Sequence, residues 1–169
     1  MQNSLFKMLF PCEQKWNENT LVSSKILTCF IDTNIFLRYF IPEDAASHKE
    51  CKQFLKQVAE GEIRAFTNML VVSEIYFVAK TKYKLSKSKC LHMLRGIRAY
   101  KGLSLLDSYN YMQALSTFEQ YPIKFVDSFI ASFQPIADGD MAVISYDKDF
   151  DKIPGVIRKT PTARQTQEM

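Results

Sequence analysis

Asp32, Glu74, Asp127 and Asp147 are the residues of this chain whose types and settings point most directly to chemistry. Asp32 follows the β-rich run Ile26 to Ile31, and Asp147 follows the apolar run Met141 to Ser145. Open α/β sheets place their ligands at the carboxyl ends of strands. Taken singly, either aspartate is also explained as the cap of the next turn. Glu74 is less easily explained, because its helical neighbours Leu70, Val71, Phe77 and Val78 are all apolar and no Lys or Arg lies within a turn. Asp127 sits in the first turn of a predicted helix, where the helix dipole favours an acid. It is also flanked by Phe125, Val126, Phe129 and Ile130. Setting a carboxylate into such a wall costs on the order of several kcal/mol unless it is paired or binds a cation.

Four such acids at one sheet edge would repel one another unless a divalent cation neutralised them. An all-oxygen carboxylate set suits Mg²⁺ or Mn²⁺, which keep several waters and share their remaining positions with phosphates. An ion of this kind activates water and stabilises the departing oxygen in phosphodiester hydrolysis. The other candidate ligands are uninformative. His48 and His92 each lie on a predicted helix with no second His or Cys at ligand spacing. Cys12, Cys29, Cys51 and Cys90 are scattered and form no CxxC pair, which reads as free thiols in a reducing cytoplasm.

The elements that must carry these acids alternate. Short strands are expected at Ile26–Ile31, Ile63–Thr67, Leu103–Leu106 and Met141–Ser145. Between them, Cys51, Phe54, Leu55 and Val58 follow helical spacing up to a stop at Gly61. Further helices are expected from Met69 to about Tyr83, from the N-cap Ser86 to about Ala99, after a cap at Asp107, and from about Ile123. This alternation implies a three-layer α/β/α sandwich around a central, mainly parallel twisted sheet.

Residues 1–25 have no sustained periodicity and read as a poorly ordered extension. The domain proper is expected over residues 26–160, with a tail over residues 161–169. The first ten residues lack the layout of a secretory signal, and the apolar stretch Met69 to Ala79 is too short to span a bilayer. With 47% hydrophobic and 24% charged residues, the composition excludes a disordered or fibrous chain. Net charge is +4, yet Lys80, Lys82, Lys84, Lys87, Lys89, Arg95, Arg98 and Lys101 form a stretch with no acid, so the rest of the chain is net acidic. A basic stripe of this kind suits a polyanion, though a solvated connector between helices would look the same. The helices from Glu43 to Ala99 also carry more apolar residues than one sheet face needs, among them Phe54, Tyr76, Phe77, Tyr83, Leu91, Met93 and Leu94. Such a surplus implies a partner surface, read as a homodimer.

The string from Phe30 to Tyr39, which includes Asp32, Thr33 and Asn34, resembles the opening strand of PIN domains, and of VapC-type toxins of toxin–antitoxin pairs in particular. Val71–Glu74 is similar to the family's glutamate helix, Val126–Ala131 to its third acidic motif and Val143–Phe150 to its fourth. They occur in family order and span nearly all of the chain after its extension. The resemblance implies a PIN-like fold and a cytoplasmic endoribonuclease that uses Mg²⁺ or Mn²⁺ and is blocked by an antitoxin. It makes Asp32, Glu74, Asp127 and Asp147 the catalytic quartet. Asp32, Asp127, Asp147 and Asp149 would hold metal, Asn34 and Ser145 would orient Asp32, and Arg38, Lys80, Lys82 and Lys84 would meet RNA. The alternative is a PIN-fold module that binds RNA or protein without cutting. Gln134–Pro135 falls where the family's third-motif helix normally continues, so that helix is expected to kink or end early.

Overall fold

The computed structural model describes residues 27–161; the expected extension over residues 1–25, Cys12, and nearly all of the tail lie outside them. Five strands form one sheet: β1 (Leu27–Ile31), β2 (Ile63–Thr67), β3 (Leu103–Leu105), β4 (Ala142–Ile144) and β5 (Arg158–Lys159). Their order is β3-β2-β1-β4-β5 and every pairing is parallel. β4 is buried along its length, as is β2 apart from Arg64, which is why both read as apolar runs rather than alternating ones.

The helices are α1 (Thr33–Phe40), α2 (Ala45–Glu60), α3 (Met69–Thr81), α4 (Lys87–Arg98), α5 (Tyr111–Gln120), α6 (Phe125–Ala131) and α7 (Gln134–Ala137). A 3-10 turn, Lys148–Lys152, follows β4. Helix contacts fall into two groups, α1 through α4 on one side and α5 through α7 with the 3-10 turn on the other. Right-handed crossovers put these groups on opposite faces of the sheet. From β1 the chain builds outward to β2 and β3, then returns to build β4 and β5 on the other side of β1. The crevice between the carboxyl ends of β1 and β4 is therefore the sheet's topological switch point.

Local signals explain most boundaries. Asp44 Oδ2 accepts from the Ser47 N–H at 2.7 Å to start α2, and Gly61 ends it with a left-handed φ of 86°. α2 buries Cys51, Phe54, Leu55 and Val58 at the expected spacing. Ser86 caps α4 as expected. The third-motif helix does end early: α6 stops at Ala131 and Pro135 lies in the first turn of the separate α7.

The first strand ends at Ile31 as expected, because the Asp32 carboxylate accepts from the Thr33 N–H and starts α1. Other boundaries differ from expectation. Asp107 does not cap the following helix; Asn110 does, accepting from the Gln113 N–H at 3.1 Å. Asp107 Oδ1 instead accepts from the Met69 N–H at 2.9 Å, while Asn68 Oδ1 accepts from Val71 N–H, so α3 is capped twice. The helix expected from Ile123 begins at Phe125. β5 had no apolar run to announce it. Of the expected apolar surplus, Phe54 and Met93 are buried in the core and Tyr83 and Leu94 are partly buried. Only Tyr76, Phe77 and Leu91 are exposed.

The end of α2 and the approach to β3 meet at Gly102, whose N–H donates to the Val58 carbonyl and whose carbonyl accepts from the Ala65 N–H. A Cβ there would lie 2.2 Å from the Ile63 carbonyl oxygen and 2.6 Å from that of Val58, backbone atoms that cannot step aside. Gly96, inside α4, would place a Cβ 3.6 Å from the Phe40 ring, an ordinary contact. Urea denaturation should therefore find Gly102→Ala destabilised by more than about 2 kcal/mol. Gly96→Ala should be stabilised by about 0.5–1 kcal/mol.

Candidate active site

Asp32 leaves β1 at the switch point and is only 4% exposed. Its Oδ1 accepts from the Thr33 N–H at 2.7 Å. Its Oδ2 accepts from the Asn34 side-chain amide at 2.5 Å and from the Ser145 hydroxyl at 2.7 Å. The amide of Asn34 also donates to Ser145 Oγ at 2.8 Å, and Asn34 Oδ1 accepts from the Tyr146 N–H at 3.1 Å. Ser145 Oγ in turn accepts from the Asp147 N–H at 2.9 Å. The ends of β1 and β4 are thus bound into one polar unit, with Asn34 and Ser145 placed to orient Asp32. Burial pushes the Asp32 carboxyl up to about 6, against the hydrogen bonds from Ser145 and Thr33 that favour its charge.

Glu74 is half-buried on α3 and accepts from the Thr33 hydroxyl at 2.6 Å. The apolar neighbourhood expected around it is incomplete, since Phe77 is 65% exposed. Glu74 is therefore at the edge of the core rather than inside it, and its partner is a threonine of α1.

Asp127 is 3% exposed on α6. Its Oδ2 is, among the described residues, the one buried side-chain oxygen or nitrogen without a hydrogen-bond partner. Burial, reinforced by the charges of Asp32, Asp147 and Glu74, pushes this carboxyl up to about 8, with Lys124 opposing. Asp147 is half-buried. Burial opposes its charge, yet the Lys124 ammonium on Oδ2 and the Asp149 N–H on Oδ1 hold it below the usual carboxylate range. Asp149 pairs with Lys152 at 2.6 Å.

Asp127, Asp147 and Asp149 each offer a carboxylate oxygen, and these oxygens lie within 4.8 Å of one another. Asp32 stands outside that set of three, although its charge and that of Glu74 both act on Asp127. The donor set is all oxygen, and it holds a buried carboxylate oxygen that no protein donor satisfies. Both features fit a hard divalent cation.

The basic candidates are dispersed. Arg38 donates to the Ser47 hydroxyl at 2.9 Å and lies 4.5 Å above the Tyr146 ring. Together with Asn34, Val78, Lys82 and Tyr83 it lines a cleft of about 180 Å³ that runs from the site edge between α1 and α3. Lys82 is 3.8 Å from Glu43, and Lys80 donates to the Leu85 carbonyl. Lys84 is exposed in a left-handed conformation, φ 54°. Sequence reasoning missed Thr33 and Lys124. A signal for Lys124 was present: it is the only Lys or Arg between Lys101 and Lys148, and it lies three residues before Asp127.

A family model described as PIN domain matches residues 29–156. No curated protein matches the chain in sequence. Three solved structures similar in fold each cover 79% of this chain. VapBC2 from Rickettsia felis, bound to a DNA fragment from its promoter, has a TM-score of 0.56 and 16% identity over 98% of that chain. A toxin–antitoxin complex from Klebsiella pneumoniae has a TM-score of 0.52 and 21% identity over 97% of that chain. PAE2754 from Pyrobaculum aerophilum has a TM-score of 0.53 and 11% identity over 89% of that chain.

The raised Asp127 carboxyl has a consequence for stability. An unfolded aspartate titrates near 3.9, so the folded protein binds more protons between about pH 4 and pH 8. Stability from this group is therefore full below about pH 4 and is lost as pH rises through about 8. In chelator, Asp127→Asn should be more stable than the parent by about 2–5 kcal/mol at pH 8 and equal to it at pH 4. Added Mn²⁺ should raise the unfolding temperature of the parent at pH 8 and leave that of the variant unchanged. Parallel unfolding curves for the two proteins across that pH range would contradict this reading of Asp127.

Proposed function

Because this chain belongs to the PIN-domain family, we propose that it is a divalent-cation-dependent endoribonuclease, the VapC-like toxin of a toxin–antitoxin pair. The observation that carries this reading is the unsatisfied, buried Oδ2 of Asp127 beside the carboxylates of Asp147 and Asp149. Those three would hold Mg²⁺ or Mn²⁺, with Asp32 beside them as a further ligand or as charge acting through water. When bound, the cation supplies the positive charge that activates water and stabilises the departing oxygen.

The chain's own residues supply position. Asn34 and Ser145 fix the Asp32 carboxylate through Oδ2, which leaves the lone pair of Oδ1 that Thr33 does not use for the site. Thr33 ties Glu74 to the same strand end, so that α3 and β1 present their acids together. Arg38 and Lys82 line the cleft that leads to Asn34, which suits a backbone phosphate. Lys80 and Lys84 would extend that positive track.

The proposed partners are an RNA substrate, an antitoxin protein and a second copy of this chain, and the proposed compartment is the cytoplasm. Two of the structures similar in fold are toxin–antitoxin complexes, which supports the antitoxin. An antitoxin helix would dock by apolar residues at helical spacing and set an Arg or Lys against Asp32 and Asp127. Exposed Tyr76, Phe77 and Leu91 on α3 and α4 support the homodimer. Cys29, Cys51 and Cys90 are free and buried, which suits a reducing compartment. Among the described residues no helix is long and apolar enough to cross a membrane.

Purified protein should cut RNA with Mg²⁺ or Mn²⁺ and stop cutting in chelator. Asp32→Asn and Asp127→Asn should each abolish cleavage while remaining folded by circular dichroism, and Ser145→Ala should slow it about 10–100-fold. Full activity in either aspartate variant would remove the mechanism. For assembly, light scattering at micromolar concentration should give the mass of a dimer, and Phe77→Lys should shift it to a monomer. A monomeric parent would refute the dimer and leave the nuclease standing.

A further inference from the structure

Lys124 is isolated in sequence and central in space. No other Lys or Arg occurs between Lys101 and Lys148, yet its ammonium sits against Asp147 Oδ2 and acts electrostatically on Asp32 and Asp127 as well. The second cation at the cluster, Lys152, is held twice, by Asp149 Oδ1 at 2.6 Å and by the Pro122 carbonyl at 2.9 Å. The Lys124 ammonium has Asp147 as its one hydrogen-bond partner among the described residues, and its side chain is 60% exposed. Lys152 is therefore tethered to the backbone, whereas Lys124 hangs by a single ion pair on a flexible four-carbon stem.

We propose that Lys124 is a substrate-positioning residue that exchanges its ion pair with Asp147 for an RNA phosphate when a divalent cation occupies the Asp127–Asp147–Asp149 cluster. This rests on the nuclease reading above. A divalent cation bound to Asp147 draws on the same carboxylate charge that holds the lysine, and the two cations repel each other across the carboxylate they share. Entry of the ion thus weakens the one bond that retains the ammonium. The freed group stays on the rim of the site, because its Cα is fixed at the start of α6, one turn before Asp127. A phosphate that approaches the cation brings negative charge to the same rim, and among the described residues the ammonium has no other hydrogen-bond partner to hold it back. The lysine would then contribute to RNA binding only in the presence of the ion, so that substrate is gripped when the site is ready to act on it.

Two titrations test this on the full chain. In the first, Mn²⁺ binding is measured by calorimetry for the parent, Lys124→Gln and Lys124→Arg. Removing the competing charge should tighten Mn²⁺ binding about three- to tenfold in Lys124→Gln and leave Lys124→Arg near the parent. In the second, all three are placed on an Asp32→Asn background to prevent cutting. Anisotropy of a fluorescein-labelled single-stranded RNA is then followed in Mn²⁺ and in chelator. Lys124→Gln should weaken RNA binding about three- to tenfold in Mn²⁺ and flatten the salt slope by about 0.7. In chelator it should match its parent, and Lys124→Arg should restore the loss.

An equal loss of RNA affinity with and without Mn²⁺ would make Lys124 an ordinary surface charge and overturn the proposal. Unchanged Mn²⁺ and RNA affinities in Lys124→Gln, with a parent that binds Mn²⁺ and cuts RNA, would overturn this proposal alone. A parent that binds no Mn²⁺ at all would overturn the nuclease reading and this inference together.

Discussion

Carboxylates crowded at the switch point of the sheet impose the constraint around which the rest of the structure is arranged. Asp32 and Asp127 are both almost fully buried; burial opposes the charge of each, and the charge of Asp32 adds to Asp127's cost of ionising. A buried charge without a partner is among the most expensive features a fold can carry. The protein meets this cost unevenly. Asp32 receives three hydrogen bonds, Asp147 and Asp149 receive lysines, and Asp127 Oδ2 receives nothing. A structural cluster whose members satisfy one another would not leave that oxygen bare, which is why the proposed function assigns it a cation.

The scaffold that holds the acids apart is correspondingly specific. Asn34 and Ser145 join the ends of β1 and β4 through Asp32, so the two parallel strands that flank the switch point are fixed to each other there. Asn68 and Asp107 fix the start of α3 and hence the position of Glu74, one and a half turns along. On the opposite face, Phe125 and Phe129 pack edge to face at 5.0 Å and Ile130 lies in the core, which anchors the short α6 that carries Asp127. The acids thus come from four places in the fold, Asp147 and Asp149 together at the 3-10 turn after β4, and none could shift without disturbing a cap, a strand end or the core.

Most of this was legible in the sequence. The parallel sheet followed from strand runs that alternate with helical spacing; of the three grouped carboxylates, Asp127 and Asp147 stood out by their settings and Asp149 only through the family resemblance. Reading failed where a residue acts away from its own stretch of chain. Asp107 looked like the cap of the helix that follows it, because a cap on a distant helix leaves no local trace. Phe77 was taken to wall in Glu74, but a helix hydrophobic on most sides does not say which side faces out. Lys124 was overlooked since a lone lysine is ordinary; only the fold brings it to Asp147.

A divalent cation held jointly by Asp127, Asp147 and Asp149 would be visible by anomalous scattering from a crystal soaked in Mn²⁺. A single strong peak is expected, coordinated by one oxygen from each of these three carboxylates, with Asp32 beside it. Density at saturating Mn²⁺ that leaves this group bare, or that places the ion on acids elsewhere on the surface, would contradict it.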